Sequence, residues 1–332
     1  MKKLHTYYVA EGYDTKQYNA GIVRNDNEKI LETAGFTALK FRHTKDGSLP
    51  VKFLRICNAV QSAFSIKKNS LVVFHFPLLA KAYKWLLQIL KWRGVKTVAL
   101  IIDIDGIRDK DESLLTKEIN LLHQFNYIIA HNPAMKKKLL EYLPAASIFT
   151  ITIFDYPFNG NLVQRELSNN ICFAGSAVKA TFVFSLNQLP GLHFNVYGLD
   201  YDTQINAGSF SYKGVVAPEI LPAVLEGSFG LVWDGSSIEN CDDYLRYNNP
   251  HKLSLYLVAG MPVIVWKDSA VAALVEENNI GFSVHSLTEI QAKLNSLTTA
   301  EYEIMRQQVS IIGEKISKGF FLRKVMDEIK TL

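Results

Sequence analysis

Short apolar runs rich in β-branched residues alternate with longer amphipathic segments along the whole 332-residue chain. Several of the runs are apolar at every position, as in Leu71-Val72-Val73-Phe74, which is typical of parallel strands buried on both faces. The runs that predict strands are 5–10, 37–42, 70–76, 96–103, 127–131 and 147–154 in the first half, and 170–174, 193–198, 211–216, 229–234, 261–266 and 281–285 in the second. The alternation predicts an α/β fold made of βαβ units with doubly wound sheets.

The chain is too long for one typical hydrophobic core, which favours two domains. A turn-rich stretch at 155–161 lies between two similar sets of six predicted strands. We therefore predict two Rossmann-like domains that face each other across a cleft, one at 1–160 and one at 161–312. The predicted helices include 79–92, 113–124, 133–142, 218–226, 251–259 and 269–278, and a helical tail, 313–332, is expected to pack back on the first domain.

Composition excludes several functional classes. The chain is 48% hydrophobic and 20% charged with a net charge of +4, which suits a soluble globular protein and falls short of a nucleic-acid-binding footprint. Its three cysteines, Cys57, Cys172 and Cys241, form no C-x-x-C pair, so neither a zinc site nor a disulfide framework is expected and a reducing cytoplasm fits. Glu11 and Asp14 interrupt the apolar start, which favours a first strand over a signal peptide.

The stretch from Tyr247 to Trp266 places cations where a helix begins. Asn249 is a good N-cap residue, Pro250 suits the first helical position, and His251 and Lys252 then fall in the first turn. A helix amino end already carries partial positive charge, so an added cation is unfavourable unless an anion compensates it. The pattern predicts a diphosphate there, with Asn248 beside it. The alternative is that Lys252 extends to solvent.

Two further segments of the second half directly follow predicted strands, at the same expected edge of the sheet. Gly175, Ser176 and Lys179 follow the first strand, and small residues there allow backbone to approach a phosphate closely. Trp233 and Asp234 end a later strand, where the indole either lines a pocket or belongs to the core. Ligands of open α/β sheets bind at these carboxyl ends.

In the first half, Asp103 and Asp105 leave a buried strand in the segment I-D-I-D-G-I-R-D. Four interpretations compete: the D-x-D-G signature of aspartyl phosphatases, a D-x-D clamp for a divalent cation, a catalytic base, or simple turn carboxylates. The phosphatase signature normally opens its domain, and the two-domain layout argues against the metal clamp. We favour Asp103 as the base, with Asp105 or Asp109 paired to Arg108.

Other residues are candidates for contacts in the cleft. Asn19, Gly21 and Arg24 follow the first strand, and His131 ends another, where a structural histidine is the alternative. The segment 81–93 mixes lysines and tryptophans as a helix on an anionic membrane face does. A sheet-packing helix with solvated lysines is the alternative for that segment.

Nearly the whole chain resembles the bacterial beta-1,6-galactofuranosyltransferases, a family of GT-B glycosyltransferases, and more distantly the streptococcal adhesin glucosyltransferases. The motifs that carry the resemblance are N-A-G at 19–21, D-I-D at 103–105, H-N-P at 131–133, I-F-D-Y at 153–156, A-G at 174–175, G-L-V-W-D-G at 230–235 and Y-N-N-P-H-K-L-S-L-Y-L at 247–257. The last two are the most specific. In that family a histidine precedes the first aspartate of D-I-D, and here Ile102 takes its place.

The resemblance implies a UDP-sugar donor, with UDP-galactofuranose expected, and a glycan or undecaprenyl-linked acceptor in surface polysaccharide synthesis. It implies inversion by one base, with the helix start, Lys252 and Lys179 stabilising the leaving diphosphate without a metal or other cofactor. We expect a cytoplasmic enzyme with peripheral contact at the inner membrane face; homo-oligomerisation stays open. The alternatives are another UDP-hexose transferase, a phosphatase, or a non-catalytic nucleotide-sugar-binding subunit.

Overall fold

The computed structural model describes residues 4–11, 21–40, 49–199 and 210–332. The chain divides into two compact units, each with its own parallel sheet. Unit 1 is Met1–Thr152 together with Phe321–Leu332, and unit 2 is Ile153–Phe320.

The sheet of unit 1 has six parallel strands in the order β2-β1-β3-β4-β5-β6. The strands are β1 His5–Ala10, β2 Thr37–Lys40, β3 Ser70–Phe76, β4 Lys96–Ile101, β5 Tyr127–Ala130 and β6 Ser147–Thr150. The helices between them are α1 Gly21–Thr33, α2 Leu49–Ser65, α3 Lys81–Trp92, α4 Asp105–Arg108, α5 Glu112–Leu122 and α6 Pro133–Tyr142. Every residue of β3 is buried, as expected for a central parallel strand.

The sheet of unit 2 also has six parallel strands, in the order β12-β11-β10-β7-β8-β9. The strands are β7 Asn170–Ala174, β8 His193–Tyr197, β9 Phe210–Gly214, β10 Phe229–Val232, β11 Val263–Trp266 and β12 Gly281–Val284. The helices are α7 Leu221–Val224, α8 His251–Val258, α9 Ala272–Glu277, α10 Ile290–Ser296, α11 Thr299–Ser317 and α12 Phe320–Lys330. Most of α12 belongs to unit 1, where Arg323 donates to the Thr33 hydroxyl at 2.7 Å.

The predicted fold class is confirmed, and each of the twelve predicted strands is present to within a few residues. The helical predictions were less accurate. Only Leu221–Val224 of the predicted helix 218–226 is α-helical. Pro222 is tolerated only in the first turn of a helix, so the helix cannot begin at 218. After β7 the chain forms a 3₁₀ helix, Thr181–Gln188, where no helix had been predicted.

Each sheet has one point at which its strand order reverses. In unit 1 the reversal lies between β1 and β3, and in unit 2 it lies between β7 and β10. The connections leave neighbouring strands there in opposite directions, which opens a crevice at the carboxyl ends where ligands of such sheets bind. In the described part of the chain, no helix is long and apolar enough to cross a membrane.

Candidate functional site

The strand reversal in unit 2 brings together residues that the sequence had predicted for one site. Gly175 follows β7, while Trp233 and Asp234 follow β10, and these two strands are neighbours. The first turn of α8 adds Lys252, whose Nζ would lie 3.7 Å from a Cβ atom placed on Gly175. Four of the predicted donor-site residues therefore meet at the expected edge of the sheet.

The ammonium group of Lys252 is held by three groups within unit 2. It donates to Asp234 Oδ1 at 2.7 Å and to the Trp233 carbonyl at 3.0 Å, and it lies 4.7 Å from the centre of the Phe173 ring. The Lys252 side chain is only 13% exposed. Asp234 thus supplies one anion for the cation at the helix start, and Lys252 does not simply extend into solvent.

Tyr256 sets the height of α8 above the sheet. Its ring lies over Gly230 in β10, where an added Cβ would come within 2.2 Å of the ring. Its hydroxyl accepts a hydrogen bond from the backbone N–H of Ala174, at 2.7 Å, directly before Gly175. Tyr256 therefore links the turn after β7 to the helix that carries Lys252. Sequence reasoning missed it because a tyrosine in an apolar helix face predicts only core packing.

The start of α8 differs by one residue from the prediction. The helix begins at His251, and its N-cap is Pro250, in an extended conformation with φ −65° and ψ 131°. The prediction of Asn249 as N-cap and Pro250 as first helical residue was therefore wrong. Proline can occupy the N-cap because that position does not need a helical conformation, but it offers no side-chain acceptor. Pro250 itself makes no side-chain hydrogen bond to the first turn of α8.

His251 is a neutral member of the first turn. Its ring stacks on Tyr156 with centroids 5.0 Å apart and meets Phe154 edge-on at 6.4 Å. Burial lowers the pKa of His251 to about 4, although a hydrogen bond with the Asp155 backbone opposes the shift. At neutral pH the positive side chain of this turn is therefore Lys252, and His251 acts in packing.

The remaining predicted donor residues occupy distinct positions around this centre. The Trp233 indole is fully buried in the core and donates to the Ser237 carbonyl at 2.9 Å. Trp233 contacts Lys252 through its backbone carbonyl. Lys179 is exposed in the turn after β7, and Asn249 is buried. Asn248 is partly exposed, with a buried side-chain oxygen that has no hydrogen-bond partner in the structure.

The turn after β7 is shaped by two glycines. The N–H of Gly175 donates to the Tyr197 carbonyl. A Cβ atom added to Gly198 would lie only 1.7 Å from the Gly175 carbonyl oxygen, so position 198 has no room for a side chain. Gly198 has φ +137°, a conformation that only glycine adopts readily. Ser176 closes the turn: its hydroxyl accepts from Val178 N–H at 3.3 Å. Backbone at this turn can therefore approach a ligand closely.

The carboxylates predicted in unit 1 surround one guanidinium group. Arg108 reaches Asp103 at 3.2 Å, Asp105 at 2.8 Å and Asp109 at 2.9 Å. Its hydrogen bond to Asp109 raises the pKa of Arg108; burial opposes this, and the three negative charges add to the increase. Asp103 and Asp105 are each about one-third exposed, and so remain accessible to a substrate. Among the described residues, no group of three His, Cys, Asp or Glu side chains could hold a metal ion.

Glu118, which sequence reasoning missed, holds this segment in place from α5. Its two carboxylate oxygens accept from the backbone N–H groups of Asp105 at 3.1 Å and Gly106 at 2.8 Å. Burial raises the pKa of Glu118, while these two hydrogen bonds oppose the shift. Gly106 has no room for a side chain, because a Cβ there would lie 2.3 Å from the Leu115 backbone nitrogen. The sequence gives no sign of this contact, because Glu118 lies on the next helix, twelve residues after Gly106.

Two of the candidates that follow the first strand, Arg24 and Gly21, are buried. Arg24 is 4% exposed; it pairs with Glu11 at 2.5 Å and donates to the Pro77 carbonyl at 3.0 Å. Gly21 is the buried first residue of α1, and Asn19 lies outside the described residues.

His131 is 1% exposed and donates from Nε2 to the Ile101 carbonyl at 3.2 Å. Burial lowers the pKa of His131 to about 3, although its hydrogen bonds with the backbone of Ile101 and Ile102 oppose the shift. The structure therefore gives His131 the structural role that was the alternative to an acceptor contact.

Comparisons with known proteins identify the family of the chain. The models of the glucosyltransferase 3-like N-terminal and C-terminal domains match residues 6–142 and 171–329. The chain is 33% identical to the beta-1,6-galactofuranosyltransferase WbbI of Escherichia coli (strain K12), with 80% of each chain covered. It is 28% identical to Glucosyltransferase 3 of Streptococcus gordonii, with 93% of each chain covered.

Among solved structures, Anabaena Alr3699/HepE in complex with UDP and glucose is similar, with a TM-score of 0.65 and 15% identity. That match covers 99% of this chain and 100% of the other. Two parallel α/β units of this kind form the GT-B fold. The chain belongs to the glucosyltransferase 3-like family, and the predicted family resemblance is confirmed.

Proposed function

We propose that this glycosyltransferase uses a UDP-hexose and binds the donor diphosphate at the strand reversal of unit 2. The observation that carries the proposal is the position of Lys252, whose ammonium group lies beside both the Gly175 turn and the end of β10. The amino end of α8, whose N-cap is Pro250, adds backbone N–H groups and partial positive charge there. A structural relative that carries UDP in its crystal supports the same class of donor.

Asp234 has a defined part in this proposal. It fixes the Lys252 ammonium at 2.7 Å, so the cation is already oriented when a diphosphate binds. A preorganised cation stabilises the charge that develops on the leaving UDP without further reorganisation. Exposed Lys179 in the turn after β7 provides the second cation. These groups stabilise the leaving group without a metal ion.

The donor sugar we assign is galactofuranose, because the relative at 33% identity is a beta-1,6-galactofuranosyltransferase. UDP-glucose and UDP-galactopyranose are the alternatives, and a relative named Glucosyltransferase 3 supports the first of them. The acceptor class we propose is a glycan, free or linked to a lipid carrier, in surface polysaccharide synthesis.

The chemistry that we propose is a single displacement with inversion. The acceptor hydroxyl oxygen attacks the anomeric carbon, the bond from that carbon to UDP breaks, and the hydroxyl proton passes to a carboxylate base. Asp103 is the proposed base and Asp105 the second candidate. Arg108 pairs with both carboxylates, and Glu118 of α5 accepts a hydrogen bond from the Asp105 backbone.

A thermal-shift experiment tests the donor site. UDP at about 100 times its dissociation constant should stabilise the folded protein by about 2.7 kcal/mol. The variant Lys252→Met should lose that shift, whereas Lys137→Met, an exposed lysine of α6, should retain it. An undiminished UDP shift in Lys252→Met would refute this site.

A second experiment addresses the sugar and the base. UDP release from UDP-galactofuranose, UDP-glucose and UDP-galactose is measured side by side with a glycan acceptor present. We expect release to be fastest with UDP-galactofuranose, and Asp103→Asn to stop transfer while the UDP thermal shift remains. Transfer that survives in Asp103→Asn but stops in Asp105→Asn would reassign the base. UDP binding without turnover of any donor would indicate a non-catalytic subunit instead.

A further inference from the structure

One side of α3 is exposed and carries only lysine, tryptophan and glutamine side chains. The opposite side packs into unit 1 through Ala82, Tyr83, Leu86, Leu87 and Leu90. The exposed side, called here the lysine–tryptophan face, consists of Lys81, Lys84, Trp85, Gln88, Lys91 and Trp92. These positions recur every three or four residues, so they lie on one stripe of the helix.

The two tryptophans of this face are unusual for the chain. Trp85 is 54% exposed and Trp92 is 78% exposed, while the other two, Trp233 and Trp266, are 0% and 5% exposed. A solvated surface helix gains nothing from two large aromatic rings in water. Tryptophan is enriched where one part of a side chain meets hydrocarbon and another meets water, as at a membrane interface.

The segment of sequence that contains α3 carries positive charges only. Residues 47–102 contain nine lysines and arginines and no aspartate or glutamate, although the whole chain carries only +4. The remaining residues therefore carry a net charge of −5. Part of this basic segment adjoins α3, since the Arg93 guanidinium lies over the exposed Phe64 ring at 5.5 Å. Such a one-signed region attracts an anionic surface.

We propose that the lysine–tryptophan face docks on a membrane surface that contains anionic lipids. Its tryptophans enter the headgroup region and its lysines meet lipid phosphates, while the apolar side of α3 stays packed in unit 1. A helix of this composition, with cations on both sides of two rings and no carboxylate, has the features of an interfacial anchor. The docking needs no donor binding, so it stands independently of the proposed function.

The positions of the four tryptophans make fluorescence a direct test. Vesicles of phosphatidylcholine with phosphatidylglycerol are added to the full-length protein, and emission and co-sedimentation are followed. We expect a blue shift and quenching by brominated lipid, since the two exposed indoles enter the bilayer and the two buried ones do not change. Pure phosphatidylcholine should bind at least about tenfold more weakly, and added salt should weaken binding to the anionic vesicles.

Variants separate the two contributions. Trp85→Ser with Trp92→Ser should reduce the partition coefficient by at least about tenfold per ring removed. Lys84→Gln with Lys91→Gln should reduce it by about fivefold per lysine. Both double variants should keep the wild-type melting temperature and its shift with UDP, which shows that they fold.

The matched control lies on α11, where Ile304 and Ile311 are also seven residues apart and about half exposed. That helix carries charges of both signs, so Ile304→Ser with Ile311→Ser should not change vesicle binding. Equal binding by wild-type and the tryptophan variant would overturn the proposal. So would equal binding to both kinds of vesicle, or self-association that the tryptophan variant abolishes, since a second copy would then cover this face.

Discussion

Two helix starts in this protein use the same three residue types in a different order. In unit 1, His131-Asn132-Pro133 leads into α6; in unit 2, Asn249-Pro250-His251 leads into α8. At α6 the asparagine is the N-cap and its side chain accepts from the Met135 N–H at 2.9 Å. At α8 the N-cap is Pro250, which makes no side-chain hydrogen bond to the first turn.

The two starts differ in which residue of the Asn-Pro pair is the N-cap: asparagine at α6, and proline at α8, where we propose that a ligand binds. With asparagine at the N-cap, the protein itself satisfies a donor of the first turn. Proline offers no side-chain acceptor at that position, and Lys252 in the first turn lies beside the neighbouring strand ends. The histidine packs inside its unit in both cases, before the asparagine in one and after the proline in the other.

The largest expected effect comes from reversing the charge in the first turn of α8. Lys252→Glu would place a carboxylate beside Asp234 and in the proposed path of a diphosphate. We expect transfer to fall at least about 100-fold and the UDP thermal shift to disappear, because repulsion replaces a preorganised cation. Lys137→Glu on α6 is the control and should change neither measurement. A UDP shift that persists in Lys252→Glu would mean that the two helix starts do not differ in function.

Acidification should lower the free energy of unfolding, because the histidines at both helix starts are buried in the neutral form. Burial lowers the pKa of His131 to about 3 and of His251 to about 4, against about 6.5 in an unfolded chain. The unfolded chain therefore binds protons that the folded protein excludes. Stability is complete above pH 6.5 and is lost as the pH falls towards 4. Between pH 7 and pH 5, each histidine should cost about 2 kcal/mol of unfolding free energy.

Urea unfolding at a series of pH values measures this loss. His131→Gln and His251→Gln remove one titrating group each, so each variant should show a shallower decline than the wild-type protein. If both variants lose stability with the same pH slope as the wild type, the histidines are not the groups responsible.

The smallest expected effect concerns the cap of α6. Asn132→Ala should lower the unfolding free energy by about 1 kcal/mol, because the Met135 N–H loses its acceptor. Asn132→Ser keeps an acceptor and should restore most of that loss in urea unfolding. Neither substitution should alter the UDP thermal shift. A change in that shift would show that the amino end of α6 also takes part in donor binding.

The strands and the edge on which the site lies follow from the sequence. Continuous apolar runs mark parallel strands, and polar residues directly after them must lie at the carboxyl ends, as Gly175 and Asp234 do. The register of the α8 start did not follow, because an Asn-Pro pair permits either residue at the N-cap. That choice depends on packing around His251, which local sequence does not encode.

The long-range supports of the site could not be predicted either. Glu118 is one polar residue in an amphipathic helix, and its partners precede it by more than ten residues. Pairing of Arg108 with Asp105 or Asp109 was predicted, but its contact with Asp103 as well needed the backbone turn that Gly106 permits. Arg24 was expected at an accessible position, and its burial depends on Glu11 and Pro77 from other parts of the chain.

The fit of Tyr256 over Gly230 has a consequence for efforts to change the donor sugar. The pair acts as a spacer: a larger residue at position 230 would lift α8 and separate Lys252 from the Trp233 carbonyl. Substitution libraries aimed at new specificity should therefore vary partly exposed positions such as Asn248 and keep positions 230 and 256 constant. Enzymes evolved in this way would retain the geometry on which the leaving group depends while the sugar contacts change.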